Sequence, residues 1–216
     1  MSATVLITGA SRGIGAGLAA AYRARGDRVL GTGRSVTADL QLDVTQPASF
    51  AEMTATLGDR ALDLLVCNAG VYLDKGADIV EDYAPDVWAK SFATNVTGVF
   101  LTIRTLLPNL ARADAPKIAI LSSQMASSEQ APGGSYIYRS SKAAVLNLGR
   151  NLATDLAGEG IAVGIYHPGW VRTDMGGQGA AISVEQSVNG LMARFDALDL
   201  GTTGCFEDWA GRALPY

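Results

Sequence analysis

The segment from Val5 to Gly31 constrains this chain more than any other. Val5-Leu6-Ile7 reads as a short buried strand, and it runs directly into Thr8-Gly9-Ala10-Ser11-Arg12-Gly13-Ile14-Gly15. Ile14, Leu18 and Tyr22 then recur at helical spacing, Gly26 is placed to cap the helix, and Arg28 to Gly31 resumes as strand. Strand, glycine turn, helix and strand within about 30 residues is the size of a βαβ unit. The turn also has a chemical use. Glycines let the backbone approach a pyrophosphate, and the helix N-terminus offers free N–H groups and a positive dipole end. The spacing Gly9, Gly13, Gly15 is not Gly-x-Gly-x-x-Gly, and an ordinary flexible turn is the competing reading.

The rest of the chain continues the alternation. Leu40-Gln41-Leu42 is a third strand, followed by Asp43. Thr45 is expected to cap a helix with Pro47 in its first turn, Phe50, Met53 and Leu57 inward, and Gly58 at its end. Leu62 to Cys67 is a fourth strand, leaving into Asn68-Ala69-Gly70, and residues 71–85 read as a polar loop. Trp88, Phe92, Val96, Val99, Ile103 and Leu107 predict one long amphipathic helix ending near Pro108, with Asn95 beside its apolar stripe. Ile118 to Leu121 is the fifth strand, with Ser122 and Ser123 at its carboxyl end. A helix carrying Tyr138, Val145, Leu148, Leu152 and Leu156 closes at Gly158 and Gly160. Ile161 to Tyr166 is the sixth strand, then come His167-Pro168-Gly169, a loop through Gly176 to Gly179, a helix from Val184 to Phe195 and a last strand from Thr203 to Phe206. The expected fold is α/β: a single domain over residues 1–216, a Rossmann-like doubly wound parallel sheet of about seven strands with helices on both faces.

Composition narrows the function classes. Hydrophobic residues make up 48% of the 216 and charged residues 18%, enough to bury a large core. A net charge of -4 and the lack of a basic run argue against a nucleic-acid surface. The apolar runs are too short to span a membrane, and the N-terminus reads as a strand rather than a signal peptide. The two cysteines, Cys67 and Cys205, sit in apolar strand-like contexts and are expected as buried reduced thiols, which fits a cytoplasmic protein. With one histidine and no Cys/His cluster, no metal site is expected.

In parallel sheets ligands bind outside the carboxyl ends of the strands. The polar signals gather there: Gly9 to Gly15 after the first strand, Asn68 after the fourth, Ser123 after the fifth, His167 to Thr173 after the sixth. Tyr138 and Lys142 join them. Residues four apart in a helix share a face, and a lysine beside a phenol favours the phenolate. Such a phenol gives a proton to a carbonyl oxygen or takes one from an alcohol near neutral pH. Tyr-x-x-x-Lys is common by chance, so the pair carries weight only through its company at this edge.

Taken in chain order, these motifs resemble the short-chain dehydrogenase/reductase family over almost the whole chain. Gly9 to Gly15 is similar to its cofactor turn, Cys67-Asn68-Ala69-Gly70 to its Asn-Asn-Ala-Gly with Cys67 in place of the first Asn, and Asn95-Val96-Thr97-Gly98 to its helix segment. Tyr138 to Lys142 is similar to its catalytic motif, and Pro168-Gly169-Trp170-Val171-Arg172-Thr173 to its cofactor-closing loop. The resemblance implies that Tyr138 is the acid/base, that Lys142 lowers its pKa and holds the nicotinamide ribose, and that Asn95 supports a water-mediated proton relay through its main chain. It implies that Ser123 hydrogen-bonds the substrate oxygen. Many relatives carry the serine nearer the tyrosine, where Met125 stands here, so Ser123 implies a longer loop through Pro132-Gly133-Gly134; Ser122 is the rival.

The cofactor-binding set so implied is Gly9, Ser11, Arg12, Gly13, Ile14, Gly15, Arg34, Asp43, Val44, Asn68, Ala69, Gly70, Tyr138, Lys142, Pro168, Gly169, Val171 and Thr173. NAD-preferring relatives usually place an acidic residue at the end of the second strand. Here Thr32-Gly33-Arg34 has none, and Arg12 with Arg34 can clamp a 2′-phosphate, so NADP(H) is favoured and NAD(H) is the alternative. Asp43 is read beside the adenine, or else as a turn residue.

The connection from Arg34 to Asp43 leaves little room for the usual helix, and the lid after Thr173 is short. Both features are similar to the small subgroup near the C-factor and sniffer-type carbonyl reductases. The implied substrate is a small carbonyl compound or alcohol in an open, tolerant pocket, and the implied assembly is a homodimer or homotetramer. His167 is set aside as a catalytic base, and Trp170 and Tyr136 either border the pocket or simply pack. A reading from another class stays open: a non-catalytic dinucleotide-binding sensor or signalling protein on the same fold.

Overall fold

The structure, a computed structural model, describes residues 2–80 and 82–216. Its strands are β1 (Thr4–Ile7), β2 (Arg28–Gly33), β3 (Leu40–Gln41), β4 (Leu64–Cys67), β5 (Lys117–Leu121), β6 (Ala162–His167) and β7 (Phe206–Asp208). They form one parallel seven-stranded sheet in the order β3-β2-β1-β4-β5-β6-β7. Its helices are α1 (Gly13–Arg25), α2 (Pro47–Leu57), α3 (Pro85–Phe92), α4 (Gly98–Leu110), α5 (Tyr136–Ala157) and α6 (Val184–Ala197).

The strands read as continuous apolar runs because both faces of the sheet are covered. Successive side chains point to opposite faces. Leu6, Leu65, Ile118 and Ile120 therefore join the core packed by Phe50, Ile103, Leu106 and Val145. Val5, Ile7, Val66 and Ala119 join the opposite core with Leu18, Tyr22, Leu191 and Phe195. The strand order reverses between β1 and β4, and the loops leaving β1, β4, β5 and β6 meet at one edge.

Several boundaries differ from the sequence reading. Thr45 does not cap α2. Gln46 holds the N-cap position without a side-chain bond, and the Thr45 hydroxyl instead donates to Asp43 Oδ1 at 2.7 Å, closing a tight local turn. β2 runs on to Gly33 because Thr32 and Gly33 pair with Leu40 and Gln41. The final strand lies at Phe206–Asp208 and not at 203–206. The Thr203–Cys205 segment reaches β6 through a turn, with Gly204 N donating to Val163 O at 2.7 Å.

The single long helix expected from Trp88 to Leu107 is interrupted. A π-helical turn, Ala93–Thr97, joins α3 to α4, and α4 continues past Pro108 to Leu110. Pro108 removes one intrahelical bond, but Leu110 is buried in the core and Ala111 N donates to Leu107 O at 2.9 Å, so the helix closes beyond it.

Candidate active site

The glycine turn is held from beneath by the end of β4. Thr8 Oγ1 accepts the main-chain N–H groups of Asn68 and Ala69, both at 3.0 Å. Asn68 Nδ2 donates to Thr8 O at 2.8 Å and to Gly9 O at 3.0 Å. Gly9 and Gly13 have φ of 67° and 57°, the left-handed region that glycine enters without steric cost. A Cβ on Gly15 would lie 2.4 Å from Gly9 O, so α1 can start this close to the turn only at a glycine.

A cleft of about 600 Å³ runs along this edge. Arg34, Asp43 and Val44 line one end, Gly9 and Ser11–Ile14 the middle, Asn68–Gly70 the floor, and Tyr138, Lys142, Pro168 and Thr173 the other end. Gly15, Asn95, Ser123, Gly169 and Val171 are not on its wall. Gly15 lies under the turn, and Gly169 and Val171 brace the far loop, packing near Ile182. Arg12 and Arg34 both stand on the lip. Arg12 Nη1 pairs with Asp174 Oδ2 at 2.6 Å across the opening. The Asp43 carboxyl is held below the usual carboxylate range, first by the Thr45 hydroxyl and with a smaller contribution from Arg34, against partial burial.

At the deep end Tyr138 and Lys142 are both buried on α5. Lys142 Nζ donates to Leu121 O at 2.9 Å and lies 5.7 Å from the centre of the Tyr138 ring. Burial pushes the ammonium down to about 8. Burial pushes the phenol up to about 12; a hydrogen bond from the Ser123 side draws it down, while Tyr72 and Asp74 push it up. The two serines are turned differently. Ser122 Oγ donates to Lys142 O at 2.9 Å, bracing α5, whereas Ser123 faces the phenol and accepts Met125 N at 3.1 Å in a short 3-10 turn over Gln124–Ala126.

Asn95 sits in the π turn with its side chain fully used. Its Oδ1 accepts Val71 N at 2.8 Å, and its Nδ2 donates to Val71 O and to Ser141 Oγ, each at 2.9 Å. The wide turn is what aims this residue at the loop after β4. His167 is only 8% exposed, does not line the cleft, and has Nδ1 unpartnered. Burial pushes its pKa down to about 4, with Asp208 opposing and Arg212 assisting.

Sequence reasoning missed two residues. Tyr72 stacks on Tyr138 with ring centres 4.1 Å apart and planes 18° apart. Asp74 accepts Ile137 N at 2.8 Å and Tyr138 N at 3.2 Å. Both come from the polar loop after β4, and no short-range spacing marks them. Beyond them, Lys75 Nζ donates to Met175 O at 3.0 Å and to Gly176 O at 3.3 Å, and Trp170 Nε1 donates to Gly176 O at 2.9 Å. Among the described residues no helix is long and apolar enough to cross a membrane, and no group of three or more His, Cys, Asp or Glu side chains could hold a metal ion.

The sequence model of the short chain dehydrogenases matches residues 3–181. The chain belongs to the short-chain dehydrogenase/reductase family. This chain is an oxidoreductase of that family. The short-chain dehydrogenase is 36% identical over 156 residues to the C-signal protein of Myxococcus xanthus, covering 72% of this chain and 93% of that one. It is 31% identical to 1-hydroxy-2-glutathionyl-2-methyl-3-butene dehydrogenase of a Rhodococcus strain, with 99% of each chain covered. Its fold superposes with a TM-score of 0.90 on the NADPH-bound carbonyl reductase from chicken fatty liver, 27% identical over the full length of both.

Proposed function

We propose that this oxidoreductase works with NADP(H), interconverting a small ketone or aldehyde and its alcohol, with Tyr138 exchanging the proton. The observation that carries the reading is the buried Tyr138–Lys142 pair at the deep end of the cleft, with Ser123 against the phenol. The residues present fit a dinucleotide. The turn needs glycine at each of its three positions, and a side chain at Gly15 would strike main chain. The end of β2 offers Arg34 to the cleft and no carboxylate. Asp39, which follows β2 in the chain, accepts Gly31 N at 2.7 Å and pairs with Arg23, and it does not line the cleft. The NADPH bound to the chicken carbonyl reductase supports the same cofactor.

The first-turn N–H groups of α1 and the Gly9–Gly15 turn would hold the pyrophosphate. Arg12 and Arg34 would hold the 2′-phosphate, Asp43 and Val44 would border the adenine, Asn68 to Gly70 would form the floor, and Pro168 to Thr173 would close over the nicotinamide. When bound, the nicotinamide supplies or accepts the hydride. Ser123 would hold the substrate oxygen beside Tyr138. Tyr138 would give its proton to that oxygen in reduction and take one in oxidation. Lys142 would hold the ribose hydroxyls, and the main chain at Asn95 would support a water that resupplies the proton. The short lid after Thr173 favours tolerance of substrate size.

A second reading has one observation in its favour, the likeness to a protein named C-signal: a dinucleotide-binding signalling protein that performs no turnover. Titration with NADPH and NADH, followed by turnover with simple ketones, separates the two. Tighter NADPH binding and turnover that is lost in Tyr138→Phe, with cofactor binding kept, is the expected result. Cofactor binding with no turnover of any carbonyl compound favours the signalling reading, and tighter NADH binding overturns the role given to Arg12 and Arg34.

A further inference from the structure

We infer that Asp74 is a positioning residue for Tyr138: its carboxylate, delivered from the loop after β4, caps α5 in place of a local residue and fixes where the phenol enters the cleft. This rests on the reading of Tyr138 as the proton carrier.

Helix α5 begins without the usual means of closing its first turn. The first N–H groups of a helix have no intrahelical partner and are normally met by a nearby Ser, Thr, Asp or Asn side chain. Ser135 holds that position but is left-handed, with φ 51° and ψ 42°, and makes no side-chain cap. Its hydroxyl bonds the Tyr72 hydroxyl instead. The first turn contains no acidic residue of its own. Asp74 fills the gap from 63 residues away, accepting Ile137 N at 2.8 Å through Oδ2 and Tyr138 N at 3.2 Å through Oδ1.

A carboxylate only 2% exposed is costly to bury unless its oxygens are met. The α5 amides meet them, and the positive end of the helix favours the charge. The neighbouring Lys75 does not, since its ammonium is turned to Met175 and Gly176. One short segment thus grips the phenol twice: Tyr72 lies flat on its ring and Asp74 holds its main-chain N–H.

The arrangement has an electrostatic consequence that a merely structural cap would lack. The groups facing Tyr138 are Ser123 after β5, Lys142 on its own helix, and Tyr72 and Asp74 from the loop; Asp74 acts to keep the proton on the phenol. Removing its charge therefore moves the Tyr138-dependent limb to lower pH in both directions of reaction.

The test is the pH profile of kcat/KM for carbonyl reduction with NADPH, and for alcohol oxidation with NADP, in the wild type, Asp74→Asn, Asp74→Ala and Tyr138→Phe. Asp74→Asn, which keeps shape and one acceptor oxygen, is expected to move the limb down by about 0.5 pH or more. Asp74→Ala is expected to lower kcat about tenfold while the KM for NADPH stays within about twofold, because the phenol is misplaced and the glycine turn is untouched. If Asp74→Ala does not fold, the Asp74→Asn profile decides. An unmoved limb in a folded Asp74→Asn, with Tyr138→Phe inactive, overturns this inference alone. Turnover surviving in Tyr138→Phe overturns the proton-carrier reading, and the inference falls with it.

Discussion

Along the middle of the cleft the wall is the main chain of Gly9 and Gly13, with Gly15 beneath, one continuous stretch stitched to Asn68. At the Tyr138 end the wall is side chain, assembled from the β4 loop, the β5 loop, α5 and the loop after β6. The first is decided by which residues lack a Cβ. The second is decided by contacts between segments far apart in the chain. A wall of the first kind fails abruptly under small additions of volume, whereas one of the second kind degrades by steps as individual contacts are lost.

The sharpest way to break that contrast is Gly15→Ala. Its new methyl would lie 2.4 Å from Gly9 O and 2.5 Å from Asn68 Nδ2, so nucleotide affinity should fall about 100-fold or more and stability by about 2 kcal/mol or more. Near-normal NADPH titration and melting would show that the turn is not held by backbone crowding.

Stability against pH probes the packing behind the far loop, at the carboxyl end of β6. The folded pKa of His167 is about 4 against an ordinary 6.5. Protons therefore bind the unfolded chain preferentially between those values. The stability linked to neutral His167 is fully present above about pH 6.5 and is lost as the pH falls toward about 4, by about 3 kcal/mol in all. Urea melts of wild type and His167→Gln across this window should converge as the pH drops; parallel curves would mean that His167 charges freely in the folded state.

On the side-chain wall, Tyr72→Phe keeps the stack on Tyr138 and loses the bond to Ser135, whereas Tyr72→Ala loses both. A kcat loss of about threefold for the first and about tenfold for the second is expected, of the order of one stacking contact. Equal losses would assign the whole effect to the hydroxyl. The smallest effect concerns the lip. Arg12 and Asp174 are both well exposed, so their pair is worth at most about 1 kcal/mol. Asp174→Asn frees Arg12 and should tighten NADPH binding about two- to fivefold with less change for NADH; an equal change for both cofactors would separate Arg12 from the 2′-phosphate.

The same contrast explains what could be read from the sequence. Val5-Leu6-Ile7, Leu64 to Cys67 and Ile118 to Leu121 announce a doubly covered sheet because nothing else needs such unbroken apolar runs, and the order of glycine turn, Asn68 and Tyr138–Lys142 follows from strand ends. Ser122 and Ser123 are neighbours in the sequence, and only the structure shows that the first braces Lys142 O while the second opens the 3-10 turn over Gln124–Ala126. Thr45 obeyed Asp43 rather than the helix ahead of it. Proximity in a helix does not say which way a buried ammonium is drawn, and that of Lys142 goes to Leu121 O. Tyr72 and Asp74 left no trace, because a loop residue that caps a helix 63 positions later has no local signature.

The wide turn at Ala93–Thr97 sets a rotational phase. An α-helix advances about 100° per residue, so one residue more or fewer between α3 and α4 turns every side chain on one side relative to the other by that angle. With α4 fixed in the core by Val99, Ile103 and Leu106, the free partner is the segment carrying Asn95. Loss of a single residue there would leave the sheet and its cores intact while swinging Asn95 off Val71 and Ser141. Chain length at this one place is therefore an angular coordinate of the cleft, and a change of length would be felt there as rotation instead of displacement.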